Sequence, residues 1–108
     1  MSGEERIKKL KVMIANDPTD SFSQYALALE YNSINEPLNA IEILEELIRR
    51  DANYVAAYHQ LGQLYGKMNK TQDAKKIYRV GIDIAMGLND EKEAKEMREE
   101  LEEIEDEW

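Results

Sequence analysis

Residues 54–86 read Tyr54-Val-Ala-Ala-Tyr58-His-Gln-Leu61-Gly62-Gln-Leu-Tyr65-Gly-Lys-Met-Asn69-Lys-Thr71-Gln-Asp-Ala74-Lys-Lys-Ile77-Tyr78-Arg-Val-Gly81-Ile82-Asp-Ile-Ala-Met86. Set against the chain 34 positions earlier, Leu61 falls on Leu27, Gly62 on Ala28, Tyr65 on Tyr31 and Asn69 on Asn35. The same register carries on through Ala74 and Ala40, Ile77 and Ile43, Tyr78 and Leu44, and Ile82 and Ile48, and it begins at Asp51 and Asp17. So many coincidences in one ungapped register define an internal repeat. A period of this length belongs to stacked units that bury their apolar faces on one another.

Each unit divides into two helices. In the first, Phe22, Tyr25, Ala26 and Leu29, together with Leu27, Ala28 and Tyr31, recur at three- and four-residue spacing, which predicts a helix. Asn35-Glu36-Pro37 interrupts it: Asn tolerates the left-handed backbone that ends a helix, and Pro suits a first turn. A second helix is predicted over 37–50, with Ala40, Ile41, Ile43, Leu44, Leu47 and Ile48 on its apolar face. The second unit predicts helices over 54–67 and 71–86. Asn69-Lys70-Thr71 makes the turn, Thr71 serves as N-cap and Gly87 as the stop.

The second unit, Tyr58-x-x-Leu61-Gly62-x-x-Tyr65 followed by Ala74-x-x-x-Tyr78-x-x-Gly81, resembles the tetratricopeptide repeat. The first matches through Leu27, Ala28, Tyr31, Ala40 and Leu44, with Gln24 where the family usually has an aromatic. Between units the family often has proline; Pro18 keeps it, while Ala52 and Met86 do not. The resemblance implies an all-α fold, an α-solenoid of antiparallel helix pairs. It also implies that Gly62 and Ala74 are small so that paired helices can approach closely.

The ends extend this scheme. Leu10, Met13, Ile14 and Asp17 stand one period before Leu44, Leu47, Ile48 and Asp51, so a helix over 4–16 reads as the second half of a preceding repeat. From about Asp90 to Glu107 a further helix is expected, but it departs from the repeat: Lys95 and Glu96 fall where Leu61 and Gly62 stood. Its apolar stripe, Ala94, Met97, Leu101, Ile104 and Trp108, is narrow and suits packing on the second helix of repeat two, a polar-faced cap. A dimer seam along the same stripe is the alternative, although two heptads fall short of a coiled coil. The expected organisation is one domain over 1–108, with an N-terminal helix at 4–16, repeats at 17–50 and 51–86, and an acidic capping helix at 88–108. Six helices are expected in all.

Composition narrows function. The net charge is −9, and residues 89–108 hold eleven acids and three bases, a net of −8, which leaves −1 for residues 1–88. Nucleic acid is not an expected partner, because phosphate binding relies on clustered Lys and Arg. No apolar run approaches a membrane span and the N-terminus does not read as a secretory signal, so a cytoplasmic protein without membrane association is expected. The chain has no cysteine, which removes disulfides, thiolate metal sites and a cysteine nucleophile. His59 is the only histidine and has no sequence companion with which to hold zinc. Ser2, Ser21, Ser23 and Ser33 fall on caps or helix faces, and Gly62-x-x-x-Gly66 reads as helix-packing spacing, not a phosphate loop. The acidic tail lacks the glycine-kinked loop of calcium cages. No catalytic residue, no cofactor and no metal ligand is expected, and the chain is read as not an enzyme.

The resemblance also locates a binding surface, the concave face formed by the first helix of each repeat. It implies Phe22, Tyr25, Leu29, Asn32 and Ser33 from unit one, and Ala56, His59, Gln63, Gly66 and Lys67 from unit two. This surface would take a protein or peptide in an adaptor or assembly role, in a protein expected to be a monomer. A terminal helix lying over the aromatic wall is the competing expectation. Relatives that hold the acidic C-terminal tails of chaperones use a Lys, Asn and Arg clamp on these helices. Here Tyr25 and Leu29 stand at clamp positions, and Ala56 and Gln60 supply no charge, so that ligand is not expected.

Overall fold

In a computed structural model, which describes residues 2–105, the chain forms six helices among the described residues and no strand. They are α1 (Gly3–Asn16), α2 (Ser21–Ser33), α3 (Pro37–Arg50), α4 (Val55–Lys67), α5 (Thr71–Gly87) and α6 (Glu91–Glu105). They fall into two compact units, Met1–Asp51 and Ala52–Trp108, each holding three helices.

In the first unit α2 packs against both α1 and α3. Ala40, Leu44 and Leu47 on α3 are wholly buried, with Leu27 and Ala28 of α2 and Ile7 of α1 beside them. That pattern is the i, i+3, i+4 stripe of an amphipathic helix turned inward. On α1 the corresponding stripe is only partly used, since Met13 stays 48% exposed and Val12 is exposed as well. The starts of α1 and α2 are capped from side chains, whereas that of α3 is not: the Glu5 N–H donates to Ser2 Oγ at 3.2 Å, and the Ser23 N–H to Asp20 Oδ1 at 3.0 Å. The buried Ser23 hydroxyl also donates to Asp20 Oδ2 at 2.5 Å. These bonds hold the Asp20 carboxyl below the usual carboxylate range, the hydroxyl bond contributing most.

In the second unit α5 packs against α4 and α6, and α6 also reaches α4. Ala57, Leu61, Ala74, Ala85 and Met97 are fully buried, with Tyr58, Tyr78 and Ala94 almost so. Two glycines permit the close approach. A Cβ on Gly62 would lie 2.6 Å from Tyr78 Cε1, and one on Gly81 would lie 2.7 Å from Tyr58 Cβ and 2.8 Å from Met97 Sδ. Gly66 has open space around it, so the expected Gly62–Gly66 packing pair reduces to Gly62 alone.

Three helices end the same way. Asn35, Asn69 and Asn89 adopt φ of 62°, 60° and 60°, the left-handed conformation that asparagine tolerates better than most side chains. Behind each, the next residue's N–H reaches back into the helix: Glu36 to Tyr31 O, Lys70 to Tyr65 O and Asp90 to Ala85 O, at 2.9, 2.8 and 2.8 Å. This corrects two expectations. Gly87 is still helical without positive φ and Asn89 makes the stop, while Thr71 is the first helical residue of α5, whose N-cap Lys70 makes no side-chain cap bond. The tail stripe is seen through Ala94, Met97 and Leu101, all buried, and the half-buried Ile104; Trp108 lies outside the described residues.

Candidate functional site

The expected binding residues fall on two helix faces, one in each unit. On α2, positions 22, 25, 29 and 32 are spaced three, four and three apart, so they share one face. Phe22 is 69% exposed and Leu29 37%, while Tyr25 and Asn32 are half-buried. Exposure of a phenyl ring beside a leucine on one helix face forfeits hydrophobic free energy that a partner's apolar surface would recover. Asn32 Oδ1 is buried with no hydrogen-bond partner, an acceptor whose desolvation is uncompensated. Ser33 turns its hydroxyl back to Glu30 O at 2.7 Å and is occupied locally.

The α4 face is different. Ala56 is half-buried and Lys67 exposed, but His59 and Gln63 are engaged by α6. His59 Nδ1 lies 2.7 Å from Glu93 Oε2, and its Nε2 meets Glu100 Oε2. A carboxylate at each ring nitrogen favours the doubly protonated imidazolium, the form in which both nitrogens donate. Burial disfavours that charge, but the hydrogen bonds to Glu100 and Glu93 outweigh it and raise the His59 pKa. Glu100 is in turn held by Gln63 Nε2 at 3.0 Å and by the Tyr78 hydroxyl at 2.9 Å. Burial would raise its pKa, but the bonds from Gln63, His59 and Tyr78 bring it below the usual range. Tyr78, by burial first and by its bond to the Glu100 carboxylate second, is pushed above the ordinary phenol range. Glu96 stands 3.9 Å from His59 Nδ1, nearby but not hydrogen-bonded to it.

His59 is therefore not the companionless imidazole that the sequence reading expected: three carboxylates surround it, all from α6. Glu93, Glu96 and Glu100 escaped that reading because α6 was set outside the repeat. One signal was present: Glu93 stands 34 residues after His59, at the same place in the register, and 93, 96 and 100 share a helix face. The competing expectation put a terminal helix over the aromatic wall of α2; α6 instead reaches the His59 and Gln63 side chains of α4, and Phe22 stays exposed.

The tetratricopeptide-repeat family description matches residues 23–54 and 55–85. Among solved structures, a tetratricopeptide repeat domain protein from Salinibacter ruber is 35% identical, with a TM-score of 0.79 over 82% of this chain and 90% of that one. The TPR2B domain of yeast Sti1, in its pHsp70 complex, is 18% identical with a TM-score of 0.85, covering 92% of this chain and 79% of that one. The Yersinia enterocolitica type III secretion translocator chaperone SycD is 14% identical with a TM-score of 0.86, covering 95% of this chain and 72% of that one. At those identities the last two show a shared fold. No curated protein matches the chain.

Proposed function

Given that the chain belongs to the tetratricopeptide-repeat family, we propose that it is a non-catalytic binding module for a protein or peptide, acting as an adaptor or assembly factor. The observation that carries this reading is the α2 face, where exposed Phe22 and Leu29 flank half-buried Tyr25. An apolar side chain of a partner covers the ring and the leucine. A peptide segment offers such side chains at the right scale.

The relatives support the reading, since the Sti1 domain and SycD carry a pHsp70 complex and a translocator-chaperone role on the same fold. The absence of a clamp charge at Tyr25 and Leu29 favours an apolar ligand over an acidic tail. No helix among the described residues is long and apolar enough to cross a membrane. The acidic chain offers phosphate little, and a cytoplasmic monomer remains our reading.

The test is affinity capture with mass spectrometry, comparing wild type with Phe22→Ala/Leu29→Ala. Both side chains are exposed, so circular dichroism and melting temperature should barely move while specific partners disappear. If the variant folds normally and captures the same proteins, α2 is not the binding face.

A further inference from the structure

We propose that His59, Glu93 and Glu96 form a binding site for a divalent first-row transition-metal ion, zinc by preference, which staples α6 to α4. The three donor atoms, the imidazole Nδ1 and one oxygen from each carboxylate, lie within 4.8 Å of one another, and all three residues are half-buried. From Nδ1 the two oxygens stand at 2.7 and 3.9 Å. Donors about 2.1 Å from a tetrahedral ion sit roughly 3.4 Å apart, so those distances bracket the required spacing. Glu93 and Glu96 are three apart on α6 and project on one side of it, and Glu96 is exposed enough to swing the remaining distance.

The imidazole is already oriented for this role. Its second nitrogen, Nε2, is held by Glu100, and Glu100 is fixed by Gln63 and Tyr78. A carboxylate on the far nitrogen of a ligating histidine sets the tautomer and strengthens the nitrogen that faces the metal. Without an ion, Nδ1 is hydrogen-bonded to Glu93 alone, and Glu96 stands 3.9 Å away. An ion takes the place of the Nδ1 proton, which leaves to solvent, and a double positive charge meets two carboxylates and a neutral ring.

One imidazole and two carboxylates, with no thiolate in the chain, suit zinc or cobalt better than calcium, which takes six to eight oxygens from a flexible loop. A fourth position is left for water. The consequence is mechanical: α6 and α4 become joined by coordination in place of a hydrogen bond.

The experiment is calorimetric titration of the tag-free 108-residue chain with Zn2+ in a non-chelating buffer, beside Glu96→Gln and Glu99→Gln. Glu96 makes no hydrogen bond to His59, so its replacement leaves the metal-free fold intact, and exposed Glu99 controls for loss of one charge on the same helix. Wild type should bind one ion per chain and melt higher with Zn2+ present. Glu96→Gln should bind at least about tenfold more weakly, the scale on which lost metal-site contacts act, with Glu99→Gln unchanged. Co2+ should give a visible absorption band in wild type that His59→Gln abolishes. Equal affinities for the two glutamate variants, or no saturation at millimolar Zn2+, overturn the proposal.

Discussion

Gly62 is where one missing methyl group matters most. Any side chain there runs into the Tyr78 ring, which is itself almost fully buried and tied to Glu100. Gly62→Leu should therefore cost about 1–3 kcal/mol through overpacking, despite the better helix propensity of leucine. A melting temperature at or above wild type would show that the crossing has slack. Gln24 is the opposite case. Its counterpart Tyr58 fills the second unit and donates to Ala52 O at 2.7 Å, whereas Gln24 Nε2 reaches the equivalent Pro18 O only at 3.5 Å. An apolar cleft of about 260 Å3, lined by Ile14, Leu27 and Ile43 among others, opens beside Gln24. Gln24→Tyr should fill it and stabilise the chain by about 0.5–2 kcal/mol, measured by chemical denaturation. No gain would mean the cleft cannot accept the ring.

At the scale of the element, helix ends and helix faces carry the argument. Asn69→Ala forces a Cβ without a compensating polar group into left-handed backbone and should cost about 1–2 kcal/mol, while Asn69→Gly should be tolerated. Equal melting of the two variants would count against the cap. The α2 start is pH-sensitive. Because the folded Asp20 pKa is lowered, its stabilisation is present above the ordinary value of 3.8 and is lost as pH falls through the lower folded value. Asp20→Ala should thus melt below wild type at neutral pH, and the gap should close in the acid limb. A gap independent of pH would assign the effect to packing. Deleting residues 91–108 should uncover Gly81, Tyr78 and Ala85 of α5 and promote aggregation, read by light scattering. Val80, also on α5, is already 40% exposed and contributes little to that effect. A truncated chain that stays soluble and equally stable would remove any capping role from α6.

For the whole molecule, charge and buried surface bear on association. Among the described residues the apolar stripe of α6 is spent inside its own unit, through Ala94, Met97 and Leu101, so a second copy could use that part of it only by unpacking it. A net charge of −9 adds repulsion between copies. Sizing across concentrations should therefore return the monomer mass throughout, and a mass that rises with concentration would restore the dimer alternative.

The helices, their order and the repeat were determined by the sequence, because each rests on local regularities: apolar spacing near 3.6 residues, Asn where the backbone turns left-handed, Pro37 at a first turn, small Gly62 at a crossing. Such features depend on neighbours a few positions away and are visible in one dimension. The surroundings of His59 are not of that kind. Its carboxylates come from 34 to 41 residues downstream, and which face of α6 meets α4 depends on how Met97 seats beside Gly81. Likewise the half-used stripe of α1, the open space at Gly66 and the unpartnered Asn32 Oδ1 depend on packing partners. Only the tertiary structure decides these, because side-chain reach and desolvation are properties of a packed volume, whereas periodicity is a property of the chain.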